Sequence, residues 1–477
     1  MKSPKHYLDI TRQDAGYVSP QDRLADYNEF LIPLTSEQLY EQASRCMECG
    51  VPFCHNLGCP IGNPIPEFNE LVASEDWKLA SDLLHSTNNF PEWTGRLCPA
   101  PCEASCVHKI NGNPVTIKQL ELAIAEYAWA HDFIKPVLPA ARTGKSVAVV
   151  GSGPAGLAAA QQLARAGHKV VVYEKDPAPG GILRFGIPDF KLEKHLIDRR
   201  INQMKQEGVR FEVNVEIGTD ISPKYLLRQY DAVCLTGGAM VPRDIAVPGR
   251  SAEGIYFAME YLTANNHAVT EKRPSLINAA GKNIVIIGGG DTGADCLGVA
   301  LRQGAKHVEQ IEIMPKPPEN ENPRTPWPKW PNILRTGTSH YEGGNRRWAV
   351  GTKGFRVENS HVTGLDCVQV NWQNGRPEEI AGSEFSLDAD MVFLSLGFVH
   401  PKHDALLEGF GVTFDSRGNV QINPATGMTN TEGVFAAGDM QTGASLVVRC
   451  IDGGRRMAAR VDKYLMNAAS LPIMPQM

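Results

Sequence analysis

One pattern occurs twice in this chain and limits its fold more than any other feature. KSVAVVGSGPAGLAAAQQLARAGHKVVVYEK runs from Lys145 to Lys175, and KNIVIIGGGDTGADCLGVALRQGAKHVEQIEIMPK runs from Lys282 to Lys316. Each reads as an apolar strand, a glycine turn, a helix rich in small residues, a second glycine turn and a second apolar strand. Such a run predicts a βαβ unit, and βαβ units place their strands in parallel sheets. The chain is therefore read as α/β, with two doubly wound Rossmann-like nucleotide-binding domains. Its 477 residues leave room for a further domain at ~150 residues each.

The glycines carry the chemistry. Gly151, Gly153 and Gly156 form G-x-G-x-x-G directly after a strand, with Pro154 and Ala155 between the last two. The first glycine permits the tight turn, the second lets backbone approach a pyrophosphate, and the third lets helix pack on strand. The helix N-terminus then faces the phosphates. Glu174 ends the next strand, where a carboxylate accepts from ribose hydroxyls, and Lys175 follows it. In the second unit Gly288, Gly290 and Gly293 repeat the spacing, with Asp291 and Thr292 inside the turn. Its second strand is read as ending without an acid, with Glu312 inside it and Lys316 beyond. A base at that position suits the 2′-phosphate of NADP, so Lys316 points to NADPH. Glu312, if turned to the ribose, would reverse that reading.

Before Lys145 the texture changes. SEQLYEQASRCMECG, EFNELVASEDWKLASDLL and TIKQLELAIAEYAWAHDF carry apolar residues at helical spacing. A helical domain is expected over 1–140, with IKPVLPAARTGK as a Pro-containing linker into the first βαβ unit. Of eleven cysteines, seven fall between Cys46 and Cys106. Cys46, Cys49, Cys54 and Cys59 are spaced x2, x4 and x4, and Cys98, Cys102 and Cys106 are spaced x3 and x3. Cys234, Cys296, Cys367 and Cys450 stand singly among apolar or small residues and read as packing thiols.

The clustered cysteines admit several readings. Disulfides are disfavoured by the odd number and by a reducing, cytoplasmic setting. That setting is the default here, because MKSPKHYLDITRQDAGY lacks the apolar stretch of a signal peptide. Zinc sites normally pair two C-x2-C elements, and only one is present. Thiolates at this spacing suit iron–sulfur ligation, although the spacing is not the bacterial ferredoxin run. A net charge of −6 is small for this length and gives no support for nucleic acid or anionic lipid as a partner. No apolar run approaches the ~20 residues that span a bilayer.

Two resemblances add to this. TNTEGVFAAGDMQTGASLVVRCIDGGRRMAARV, containing Gly438 and Asp439, resembles the second FAD motif of disulfide-reductase-like flavoproteins. YDAVCLTGGA and ADMVFLSLGF resemble the crossover strands of that superfamily. The resemblance implies a discontinuous FAD domain over 141–270 and 400–477, with an NADPH domain over 271–399 inserted into it. It also implies that Asp439 contacts the flavin chain and that GGILRFGIPDFKLEK, containing Gly181, lines the flavin. The flavin domain has no C-x-x-x-x-C redox pair, so electrons must leave by another route.

RCMECGVPFCHNLGCPIGNPIPEFNELV, NNFPEWTGRLCPAPCEASCV, VGSGPAGLAAA, GGGDTGADC, GVFAAGD and PKPPENENPRTPWPKWPNILRT together resemble the small (β) subunits of bacterial glutamate synthases. Dihydropyrimidine dehydrogenases share the N-terminal module, with two [4Fe–4S] clusters. The resemblance implies one cluster on Cys46, Cys49, Cys54 and Cys106. It implies a second on Cys59, Cys98 and Cys102, with a non-cysteine ligand, Glu121 or else Gln119. It further implies an electron-input subunit with no catalytic acid or base, which oxidises NADPH at FAD. Electrons would pass through the clusters to a large subunit that makes glutamate from glutamine and 2-oxoglutarate, in a cytoplasmic hetero-oligomer. The alternatives are a nicotinamide-oxidising subunit of a pyrimidine reductase or of a ferredoxin-linked transhydrogenase, and a non-catalytic zinc scaffold.

Overall fold

The computed structural model describes residues 6–468 and 471–472. The N-terminal part contains helices α1 (Ser36–Ser44), α2 (Ile65–Ala73), α3 (Trp77–Thr87), α4 (Pro91–Leu97) and α5 (Ile117–Ala130). Thr35 and Gln38 form a reciprocal capping box that starts α1. The second helical stretch expected from the sequence is two helices. Glu75 takes φ +61 between them, and the Asp76 side chain accepts from Leu79 N at 3.1 Å to begin α3. Cys46–Cys59 lies between α1 and α2, and Cys98–Cys106 lies between α4 and α5. Phe68, Phe90, Trp93, Leu120 and Ile124 are fully buried between the helices.

The first βαβ unit follows as β1 (Ser146–Val150), α6 (Pro154–Arg165) and β2 (Lys169–Glu174), then β3 (Arg210–Val213) and β4 (Ala232–Leu235). The chain then crosses to a second sheet through β5 (Ile255–Phe257), β6 (Asn283–Ile287), α7 (Asp291–Arg302), β7 (His307–Glu312) and β8 (Asn345–Trp348). An antiparallel set comes next: β9 (Val350–Glu358), β10 (His361–Gln373), β11 (Arg376–Glu379) and β12 (Phe385–Asp388). β13 (Met391–Leu394) returns to the second sheet, and β14 (Val434–Ala436) returns to the first, followed by α8 (Val447–Met466). The first sheet has the order β14-β4-β1-β2-β3 and the second β8-β7-β6-β13-β5. Every pairing within those two sheets is parallel.

The expected limit at residue 271 is corrected by this topology. β5 precedes it yet pairs with β13, Ile255 opposite Val392, in the second sheet. The crossing point is a two-segment ribbon in which Val241 N donates to His400 O at 3.1 Å and Val399 N donates to Val241 O at 2.9 Å. A three-residue strand carries too little apolar pattern to be read locally; only its pairing locates it.

The helical part and the first sheet share one hydrophobic core, in which Phe68 and Trp93 join Val147, Leu157 and Ile451. Their seam also contains a fully buried ion pair. Arg200 holds Glu92 through two hydrogen bonds of 2.5 and 2.7 Å, and His85 Nε2 lies 2.8 Å from the same guanidinium. From α8, Arg455 donates to Asn89 Oδ1 at 2.6 Å.

Candidate functional site

The two glycine turns are built alike. Gly151 takes φ +99, and a Cβ on it would lie 2.7 Å from Thr236 O at the end of β4. Gly288 takes φ +123, and a Cβ on it would lie 2.1 Å from Ser395 O at the end of β13. Both positions therefore require glycine. The third glycines are equally tight: a Cβ on Gly156 would meet Gly151 O at 2.0 Å, and one on Gly293 would meet Gly288 O at 2.5 Å. The middle glycines differ from these, because a Cβ on Gly153 or Gly290 would meet nothing within 4 Å. Each turn thus has one bare backbone side at a helix N-terminus, the shape that a pyrophosphate needs.

The surroundings of the first turn are closed. Ser152 is buried, and its backbone N donates to Glu174 Oε2 at 2.9 Å, with its hydroxyl on the same oxygen. Asp176 N donates to Glu174 Oε1 at 3.0 Å, so the buried Glu174 is held from both sides; Lys175 beside it is exposed. Gly181 presses on the turn, since its Cβ would lie 2.9 Å from Gly153 Cα. The C-terminal segment completes the enclosure. Gly438 and Gly454 lie so close to Ala155 that Cβ atoms on them would meet Ala155 Cβ at 2.8 Å and Ala155 O at 2.1 Å. Asp439 Oδ1 accepts from Ser445 N and Oγ at 3.0 Å and from Cys450 Sγ at 3.1 Å, and burial raises its pKa. These two separated segments form one cradle, and it fits a flavin dinucleotide.

The second turn is open: Gly289, Gly290 and Asp291 are exposed, and Thr292 is half-buried. The expectation of a strand without a terminal acid is corrected here, because Glu312 is the last residue of β7. Its Oε2 accepts from Gly289 N at 2.6 Å and its Oε1 from Met314 N at 2.9 Å. Glu174 accepts from the same two backbone positions in the first unit, with the Ser152 hydroxyl in addition. Ile313 and Met314, both partly exposed, continue the apolar pattern and hide the strand end from a sequence reading. Lys316 is exposed, 3.4 Å from Glu319, with its ammonium 5.7 Å from the Trp348 ring centroid.

The seven clustered cysteines sort into two groups. Cys46, Cys49, Cys54 and Cys106 line one pocket, with Asn69 and Ile117. Burial raises the Cys46, Cys49 and Cys54 pKa values, and neighbouring thiols of the group push in the same direction. Cys59, Cys98 and Cys102 form the second group around Glu121. Burial pushes Cys59 up to about 12 and Cys98 to about 11, with the Glu121 charge adding to both. Cys102 is raised well above its ordinary value by burial and then by Cys59. Glu121 itself rises to about 7 through burial, although Asn63, Asn88 and Thr94 all hydrogen-bond its carboxylate. On a helix, residues two apart point ~200° apart. Glu121 and the half-buried Gln119 therefore leave α5 on different faces.

One local device separates Cys54 from Cys59. The residues Cys54–Gly58 form a single π-helical turn, closed by Cys59 N donating to Cys54 O at 2.8 Å. Gly58 in that turn lies against the second segment, where a Cβ would come within 2.6 Å of Cys102 Cα. Cys59 is thereby delivered to Cys102, while Cys54 stays with Cys46. All eleven cysteines are free thiols, and among the described residues no three His, Cys, Asp or Glu side chains converge on a point as ligands of one metal ion would. Buried thiols that raise one another's pKa form a donor set that a cationic polynuclear core would satisfy as thiolates. The residues fit an iron–sulfur group.

Asn63, Asn88 and Thr94 had no signal in the sequence: their role comes from reaching Glu121 across three elements. The Trp-Pro-rich segment of the second domain makes contacts that its sequence does not announce. Trp327 packs on Phe53 at 4.9 Å between ring centroids, Ser105 Oγ donates to Pro328 O at 2.8 Å, and Lys109 pairs with Glu321. This segment thus touches both cysteine loops.

Two protein-family models match this chain. A family model described as pyridine nucleotide-disulphide oxidoreductase matches residues 145–325 and 353–454. A second, described as dihydropyrimidine dehydrogenase domain II, 4Fe-4S cluster, matches residues 23–133. The solved structure of Mycobacterium tuberculosis FprA in complex with NADPH shares the fold, with a TM-score of 0.51 at 18% identity over 69% of this chain and 87% of that one. Fold and site together define a pyridine-nucleotide oxidoreductase of the flavoprotein type preceded by an iron–sulfur domain.

Relatives match nearly the whole length. The chain is 50% identical to the glutamate synthase [NADPH] small chain of Mycobacterium tuberculosis, over 99% of this chain and 98% of that protein. It is 41% identical to the corresponding small chain of Bacillus subtilis, over 99% and 100%. It is 43% identical to glutamate synthase [NADH] of Schizosaccharomyces pombe, over 98% of this chain and 23% of that much longer protein. The chain belongs to the glutamate synthase small-chain family. No described helix is long and apolar enough to cross a membrane.

Proposed function

We propose that the chain is the cytoplasmic electron-input subunit of a glutamate synthase. It oxidises NADPH and hands the electrons to a large subunit that makes glutamate from glutamine and 2-oxoglutarate. The observation that supports this most is the placement of an enclosed and an open dinucleotide turn in one molecule with two separate thiol groups. FAD in the enclosed site would supply hydride acceptance, and two [4Fe–4S] clusters would supply one-electron transfer.

The chain's own residues bind, orient and exclude water. The Gly151–Gly156 turn and the α6 N-terminus would hold the flavin pyrophosphate, with Glu174 at the ribose. Gly181, Gly438 and Asp439 close the cradle from the other side. The Gly288–Gly293 turn, with Asp291 and Thr292 at the start of α7, would take the exchangeable nicotinamide on the exposed side. Cys46, Cys49, Cys54 and Cys106 would ligate one cluster; Cys59, Cys98 and Cys102 with Glu121 would ligate the other. Proximity and orientation supply the rate in such a step, so no general acid or base is needed.

The test mixes the purified chain with a glutamate synthase large subunit and follows NADPH-dependent glutamate formation. Restored formation, with about eight irons and eight acid-labile sulfides per small chain, is expected. Iron and flavin without restoration would direct the chain to another acceptor, such as a pyrimidine reductase, and zinc without iron would end the reading.

A further inference from the structure

We propose that Glu312 reads the adenosine ribose in the open site, and that its carboxylate makes the chain accept NADH as an electron donor alongside NADPH. The inference rests on the reading of that site as the nicotinamide site.

Glu312 stands where Glu174 stands. Each ends the second strand of its βαβ unit, accepts from the N–H after the first glycine, and accepts from the N–H two residues further on. An acid at this position accepts from a free 2′-hydroxyl and repels a 2′-phosphate. The two acids differ in how occupied they are. Glu174 is buried, with the Ser152 hydroxyl as a third donor. Glu312 faces a glycine instead, where a Cβ would come within 2.8 Å of Oε2; it is half-buried and keeps lone pairs open to a ligand.

Two bases lie against the ring that stands across from it. In the register of β7 and β8, Glu312 lies opposite Trp348. The Lys316 ammonium is 5.7 Å, and the Arg346 guanidinium 5.1 Å, from that ring centroid. Arg346 also donates to Thr336 Oγ1 at 2.9 Å, and Lys316 lies 3.4 Å from Glu319. One carboxylate for a hydroxyl and two cations for a phosphate make a site that discriminates weakly between the donors. The reaction is unchanged: the hydride leaves the dihydronicotinamide ring, and the substituent on the distant ribose takes no part.

The experiment compares kcat/KM for NADH and NADPH with an artificial acceptor, in the holoprotein and in Glu312→Gln, which keeps an acceptor for Gly289 N but removes the charge. Calorimetric binding of ADP-ribose and 2′-phospho-ADP-ribose is measured in parallel. Wild type should use the two donors within about tenfold of each other, and Glu312→Gln should shift both ratios about tenfold towards the phosphorylated form, about 1.4 kcal/mol. A wild-type preference above about 100-fold for either donor overturns the proposal. So does a Glu312→Gln change that affects both ligands equally, which would leave the carboxylate as a brace for the turn. If neither donor reduces the protein while the two ribose probes bind as expected, the proposed function fails and the assignment of Glu312 stands.

Discussion

The nucleotide half and the cysteine half of this molecule deliver functional residues in opposite ways. In the nucleotide half, neighbours in sequence stay neighbours in space: Gly151 to Gly156 make one turn, and Gly288 to Gly293 make its copy. In the cysteine half, neighbours part company. Cys54 and Cys59 are separated by a single π-helical turn and go to different groups, whereas Cys106 joins Cys46 from far along the chain. A backbone-bound ligand needs one local loop conformation. A ligand held by side-chain sulfur needs only that thiols meet, and any connection that brings them together will serve.

The largest effect to expect tests the first half. Gly156→Val puts a branched side chain where even a Cβ would lie 2.0 Å from Gly151 O. Purified protein should carry no flavin absorbance. Gly293→Val should keep the flavin and lose nicotinamide oxidation, because its turn is the open one. If both variants lose flavin alike, the two turns do not hold separate ligands.

The second half is tested by single cysteines. Cys46→Ala and Cys59→Ala should each remove one cluster signal in electron paramagnetic resonance of the reduced protein, and the lost signals should differ. Loss of the same signal in both would return all four cysteines of the first segment to one cluster.

The seam between the halves comes next in size. Arg200→Leu leaves Glu92 buried without its partner, and removing one member of a buried pair costs about 3–5 kcal/mol. Chemical denaturation should show a lower midpoint. An unchanged midpoint would mean that water replaces the guanidinium and that the halves are less closely fused than their common core suggests.

The smallest effect concerns the loop that links the open turn's domain to the cysteines. Trp327→Leu removes a ring pair worth about 1 kcal/mol. Limited proteolysis should cut faster within residues 317–336, with flavin content unchanged. Equal cleavage rates would show that the Ser105 and Lys109 contacts hold the loop without the ring.

Much of this was legible before folding. Glycine spacing, flanking apolar runs and cysteine density are local patterns, and the physics they encode is local: a left-handed φ, a bare turn, a dense set of soft ligands. They established the two βαβ units, the parallel sheets, the helical N-terminal part and the eventual family. The rest was decided by contacts between distant residues. Strand β5 is too short to announce itself and is located only by pairing with β13. Ile313 and Met314 prolong the apolar pattern past Glu312, and its place at the strand end shows only in its carboxylate, which accepts from Gly289 N and Met314 N. Asn63, Asn88 and Thr94 acquire meaning only at the Glu121 carboxylate, because burial without those partners would leave that group unsatisfied. The sequence by itself determined which chemistry the chain carries, since that depends on residue type and short spacing. Only the tertiary structure decided which thiols, which acid and which segments meet, since those encounters depend on packing between elements far apart in the chain.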